Sequence, residues 1–190
     1  MLIIKQLSCV RHYRTLFKGL DYYLPAHRIL HVIGPNGAGK TSLLRIIAGL
    51  MVPDEGTVEI AEVAAVLYIG HTLGLNENLT VWENLEIMQR ISASSQDLVA
   101  VLQHMHLLRY RQAPLSLLSA GLKRRVALSQ LLIRTASLWI LDEPFTALDK
   151  SSVQLIMQLL ANHIARGGSC VIASHQDLPL PDVQQLELGA

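Results

Sequence analysis

The sequence is short of cysteine, short of charge, and lacks any apolar run long enough to cross a membrane. Only two cysteines, Cys9 and Cys170, occur in 190 residues. They lie far apart without metal-ligand spacing, which argues against a zinc site or a disulfide framework and predicts small buried residues in a reducing compartment. Charged residues make up 16% of the chain, below the ~25% common in soluble domains. Sixteen basic against fifteen acidic residues leave a net charge of +1, so the basic excess of a nucleic-acid binder is missing. A membrane helix needs ~20 apolar residues in a row. Here Arg45 interrupts the run over residues 43–52, and Arg134 interrupts the one over 126–141. The opening Met1-Leu2-Ile3-Ile4-Lys5 has no basic segment followed by a long apolar run, unlike a signal peptide. These absences predict a protein that is cytosolic or held at a membrane by another component.

What is present is a 51% hydrophobic composition, too apolar for a disordered chain. Such a fraction suits a large core or an apolar surface covered by a partner. Four short runs, over residues 29–33, 64–69, 137–141 and 169–173, are nearly continuous in apolar residues. That pattern predicts central strands of a sheet covered on both faces. Helical stretches over 41–50 and 151–166 separate them, which predicts βαβ units and a mainly parallel sheet. Residues 79–134 read as wholly helical, with helices beginning at Thr80, over 97–108 and over 120–133. Thr80 followed by Glu83 has the form of a capping box. The expected architecture is an α/β core over 1–72 and 135–190, with a helical subdomain over 73–134, in a single domain of 1–190.

The strand over 29–33 runs straight into Gly34-Pro35-Asn36-Gly37-Ala38-Gly39-Lys40-Thr41, and a helix follows. This satisfies G-x-x-x-x-G-K-[ST] in its required strand–loop–helix context. Nucleotide phosphates need several backbone N–H donors at close range, and glycines let the chain approach without a Cβ clash. The helix adds the positive end of its dipole. Lys40 supplies a point charge to the β- and γ-phosphates, and Thr41 offers a hydroxyl to Mg²⁺.

Leu138-Trp139-Ile140-Leu141-Asp142 is an apolar strand ending in a carboxylate, with Glu143 next. In a parallel sheet the carboxyl ends of strands line the ligand crevice. Asp142 would sit close to the metal, contacting it through water, and Glu143 would polarise an attacking water as general base. His175 follows the strand over 169–173, where a neutral imidazole can hydrogen-bond a γ-phosphate oxygen or hold the water. His71 follows the strand over 64–69 in the same way.

Together with Leu118-Ser119-Ala120-Gly121 and Ala147-Leu148-Asp149, these motifs resemble the ATP-binding subunits of ABC transporters, in the same order and over nearly the whole chain. The resemblance implies an ABC ATPase fold of the phosphate-loop, RecA-like class. It also implies that Ser119, Ala120 and Gly121 form a signature meeting the γ-phosphate held by the second copy of a head-to-tail homodimer. Ser119 and Gly121 open a helix, where free N–H groups favour an anion. Tyr68-Ile69-Gly70-His71, Glu83-Asn84-Leu85, residues 118–128 and residues 138–149 are similar to the cytochrome c biogenesis (haem exporter) ATP-binding family. That implies ATP hydrolysis with Mg²⁺, coupled to release of haem-loaded chaperone or to haem movement. The expected setting is an integral membrane permease at the cytoplasmic face of the inner membrane, without nucleic acid. Another ABC exporter, or a soluble non-transport ABC ATPase, is the alternative.

Four positions depart from the ABC pattern. His71 stands where glutamine is usual, leaving its metal contact open. Leu122 replaces a glutamine at the end of the signature, and Thr146 stands where serine is common. The aromatic residue that stacks on adenine falls near 11–13; the register puts Arg11 there, and Tyr13 is the nearby ring. An interface for a membrane partner is expected on the helical insert and the loop after His71, around Leu73, Leu75, Leu79 and Trp82.

Overall fold

The computed structural model describes residues 1–61 and 65–189. The chain divides into two compact units, Met1–Gly70 with Ala136–Glu143 and Leu160–Ala190, and His71–Thr135 with Pro144–Leu159. Residues 144–159, counted with the α/β core from sequence, cluster with the helices.

The first unit holds two sheets. Strands β1 (Leu2–Arg11), β2 (Arg14–Leu24) and β4 (Glu55–Ile60) form an antiparallel sheet in the order β2-β1-β4. This sheet was not anticipated. Its β1–β2 turn is His12-Tyr13, both with positive φ (50° and 62°), between the paired residues Arg11 and Arg14. Two consecutive positive φ values define the mirror-image turn that suits strand twist, normally signalled by Asn-Gly or Asp-Gly. Here neither residue type is present. Register shifts along β1 between Ile4 and Val10 further break its alternation of inward and outward residues.

The second sheet is parallel, in the order β5-β6-β7-β3-β8, with β3 (Ile29–Ile33), β5 (Val66–Ile69), β6 (Leu138–Asp142), β7 (Ser169–Ala173) and β8 (Val183–Glu187). Every residue of β6 and β7 is buried, as is most of β3, which explains their unbroken apolar runs. Of the run expected over 64–69, Ala64 lies outside the described residues and the strand begins at Val66. The edge strand β8, Val-Gln-Gln-Leu-Glu, is only partly buried and carries no apolar run to betray it.

Helix α1 (Lys40–Ile47) buries Leu43, Leu44, Ile46 and Ile47 in the core that contains Leu30, Val32, Ile140 and Val171. Gly49, at φ 71°, donates to the Ile46 carbonyl and closes the helix.

In the second unit, α2 (Val81–Ile91) starts with the expected capping box. Glu83 N donates to Thr80 Oγ at 3.2 Å, and Thr80 N donates to Glu83 Oε2 at 2.8 Å. The region is not wholly helical, however. Helix α3 (Leu98–His104) is shorter than the expected 97–108, and only short 3-10 turns follow at Leu108–Tyr110 and Leu115–Leu117. The helix expected over 120–133 is two, α4 (Ala120–Leu128) and α5 (Gln130–Ile133). They part at the buried Ser129, whose hydroxyl donates 3.0 Å to the Arg125 carbonyl. Such back-bonding competes with the helix ladder and bends it. Helix α6 (Lys150–Ala165) begins in this unit and passes into the first at Leu160.

Candidate nucleotide-binding site

The carboxyl ends of β3, β6 and β7 deliver the phosphate loop, Asp142-Glu143 and Ser174-His175 to one end of the parallel sheet. Gly34 turns the chain out of β3 at φ 143°, and a Cβ there would stand 2.3 Å from the Leu188 carbonyl oxygen. Only glycine fits that turn. Lys40 is buried, and its Nζ lies 2.7 Å from the Gly34 oxygen, 3.2 Å from the Pro35 oxygen and 3.4 Å from His175 Nε2.

Thr41 and Asp142 are brought together: Thr41 Oγ1 donates to Asp142 Oδ2 at 2.8 Å, and Asp142 is buried. Glu143 occupies the left-handed region, φ 50°, and its N–H donates to the Ala173 carbonyl at 2.9 Å. A non-glycine residue is rarely found there, and strain of this kind gathers where position matters. His175 Nε2 lies 3.0 Å from Asn36 Oδ1 and 3.5 Å from Glu143 Oε1. Lys40, Asn36, Glu143 and His175 thus surround one point.

Beside them opens a cleft of about 470 Å³, lined by Asn36, Gly37, Gly39, Lys40, Thr41, Asp142 and Glu143 on one side. Arg11, His12, Leu16, Ser42, Arg45 and Met51 complete it. Tyr13 is fully exposed and does not line the cleft, whereas Arg11 does, anchored by Asp54 Oδ2 at 3.4 Å. Sequence reasoning missed Leu16, Arg45 and Met51 altogether. Leu16 would have been signalled only by the β1–β2 hairpin, and Arg45 and Met51 by the way α1 and the loop after it face the cleft. A smaller, apolar cleft of about 230 Å³ lies at the amino ends of β6 and β7, around Leu2, Leu24 and Leu138. It offers no charged side chain to a phosphate.

In the second unit, Ser119 caps α4, its Oγ accepting from Leu122 N at 3.3 Å. Ser119 and Ala120 are exposed. A Cβ on Gly121 would stand 2.5 Å from the Ala147 carbonyl oxygen, so the loop packs against bare backbone there. Asp149 accepts from Ser152 N at 2.8 Å and from the Ser151 hydroxyl at 3.1 Å. Hydrogen bonds from Ser152, then from Ser151, pull its carboxyl down to about 2. His71 is exposed in the turn following β5. Leu73, Leu75, Leu79 and Trp82 are half-buried, and the Arg111 guanidinium lies over the Trp82 ring at 5.4 Å. Cys9 and Cys170 are buried free thiols, and burial raises the pKa of both.

A family profile described as ABC transporter matches residues 17–146. The chain belongs to the ABC transporter family. It is 42% identical to the cytochrome c biogenesis ATP-binding export protein CcmA of Haemophilus influenzae, covering 100% of this chain and 95% of that protein. It is 43% identical to the CcmA of Tatumella citrea, over 94% of this chain and 90% of the relative. Among solved structures, it superposes on an ATP-binding cassette captured as a dimer in a post-hydrolysis state with ADP and Pi. The TM-score is 0.85 at 22% identity, covering 100% of this chain and 97% of the other. A putative ABC transporter ATP-binding protein from Pyrococcus furiosus gives a TM-score of 0.84 at 22% identity, covering 98% and 96%. This ABC cassette therefore has the phosphate-loop α/β fold expected from its motifs. No helix among the described residues is long and apolar enough to cross a membrane.

Proposed function

We propose that this chain is the ATP-hydrolysing subunit of an ABC transporter complex that serves c-type cytochrome biogenesis. The observation that carries the catalytic part is the convergence of Lys40, Thr41, Asp142, Glu143 and His175 at the carboxyl end of the parallel sheet. The physiological part rests on likeness to the CcmA proteins over almost their full length.

In this reading ATP lies with its phosphates over residues 34–41, where loop amides and Lys40 neutralise the β- and γ-oxygens. Mg²⁺ fits the hydroxyl–carboxylate pair Thr41–Asp142: both present hard oxygens, and this ion is commonly held by one or two protein groups plus phosphates and water. When bound, it would offset charge on the phosphate oxygens. Glu143 accepts the proton of the attacking water. His175 donates from Nε2 to a γ-phosphate oxygen. The base of the nucleotide extends toward Arg11, His12 and Leu16.

Ser119, Ala120 and Gly121 serve the other nucleotide of a head-to-tail homodimer, their helix start facing the second copy's γ-phosphate. ATP then closes the dimer and hydrolysis releases it, driving an integral membrane permease at the cytoplasmic face of the inner membrane. The single domain of 1–190 supplies both halves of that composite site.

Deletion of the gene tests the physiological assignment. The account predicts loss of covalently bound haem from c-type cytochromes, restored by the wild-type chain. Normal cytochrome levels would assign the ATPase to a different exporter.

A further inference from the structure

Strand β3 carries one polar residue among apolar ones: His31 is 2% exposed, flanked by the fully buried Leu30 and Val32. Its Nε2 lies 3.0 Å from the Ser174 carbonyl oxygen. A carbonyl only accepts, so Nε2 carries the proton and Nδ1 is a bare acceptor. That Nδ1 is buried and has no partner among the described residues. An unpartnered buried acceptor opposes folding, and an apolar side chain of similar size would avoid it. The use of His31 therefore lies in the one bond it makes.

That bond reaches the residue immediately before His175. In the parallel register His31 pairs with Ile172 and Val32 with Ala173, so β3 runs beside the end of β7. The Ala173 carbonyl accepts from Glu143 N at 2.9 Å. The Ser174 carbonyl accepts from His31, and the Ser174 hydroxyl accepts from Gln176 N at 3.0 Å. The backbone carrying His175 is thus held on both sides of the strand end. The His175 side chain, 54% exposed, has little packing of its own to fix it.

We propose that His31 is a positioning residue, which acts through the Ser174 carbonyl to hold His175 beside Glu143 and Lys40 for hydrolysis. This rests on the reading of His175 as a catalytic group. His31 is buried at 2% exposure and bonded to the Ser174 carbonyl, and its effect is entirely on where the imidazole of His175 stands. Misplacement of about 1 Å in a catalytic group is enough to cost up to ~10²-fold in rate.

The test is ATP hydrolysis and Mg-ATP affinity of the full-length chain, isolated together with the membrane proteins that accompany it. The variants are His31→Leu, His31→Gln, His175→Ala and the His31→Leu/His175→Ala double. His31→Leu is expected to fold, to keep its affinity, and to lose about tenfold in kcat, while His31→Gln, whose amide can reach the same carbonyl, recovers to within about threefold. In the His175→Ala background His31→Leu should add no further loss, whereas a merely structural residue would give additive losses. Unchanged kcat in His31→Leu, additivity in the double variant, no rescue by His31→Gln, or failure of His31→Leu to fold would each overturn the proposal. Normal kcat in His175→Ala would instead remove the catalytic reading of His175, and this proposal with it.

Discussion

Thr41 Oγ1 donates a 2.8 Å hydrogen bond to Asp142 Oδ2 across 101 positions of sequence. The contact ties the first turn of α1 to the carboxyl end of β6. It places a hydroxyl and a carboxylate side by side, two of the hard oxygens that the proposed Mg²⁺ would draw on beside phosphate and water.

Replacing Thr41 tests that pairing. Thr41→Ser keeps the hydroxyl and should bind Mg-ATP as the wild type does. Thr41→Ala removes it and should raise the magnesium concentration needed for half-maximal ATP binding about tenfold or more, since loss of even an outer-shell partner at a metal site costs about that much. Titration of Mg²⁺ at fixed ATP separates the two, and equal curves would take Thr41 out of the metal site.

Lys40 is the loop's only cation, buried and already bonded to two loop carbonyls. A hydrogen bond from a charged donor contributes about 1.5–3 kcal/mol. Lys40→Ala should therefore weaken ATP about tenfold to a hundredfold. Calorimetric titration with ATP measures this, and ADP, lacking the γ-phosphate, should lose less.

The phosphate loop, the central strands β3, β6 and β7 and the Thr80 capping box were legible because each is written in consecutive residues. The β1–β2–β4 sheet was not. Its hairpin turns on His12-Tyr13, whose positive φ values are imposed by strand pairing rather than announced by glycine or asparagine. The same blind spot hid Leu16, which reaches the cleft from β2, while Arg45 reaches it from α1 and Met51 from the loop that follows. Ser129 marks a third limit. Its apolar neighbours continue a helical period, while a hydroxyl bonded back to Arg125 ends α4. Glu143 was legible as an acid after a strand, but its left-handed backbone was not.

Asp149 should contribute to the acid sensitivity of the fold. Its carboxyl lies at about 2 in the folded chain, against an ordinary 3.8, because Ser152 and Ser151 donate to the ionised form. A depressed carboxyl stabilises the fold above its unfolded value and loses that contribution as pH falls through the folded one. Asp149→Asn still accepts from the Ser152 amide but has no proton to gain. Its thermal midpoint should fall less than that of the wild type between about pH 4 and pH 2. Parallel curves for the two proteins would show that Asp149 has no part in acid unfolding.

The most direct measurement is single-turnover ATP hydrolysis by Glu143→Gln, with Mg-ATP affinity determined on the same preparation. Glutamine keeps the size of the side chain beside His175 and cannot take a proton. The account predicts unchanged affinity and hydrolysis slowed about 10²-fold or more. Wild-type hydrolysis by this variant would show that another group activates the water, and would contradict the assignment of Glu143 on which the catalytic site is built.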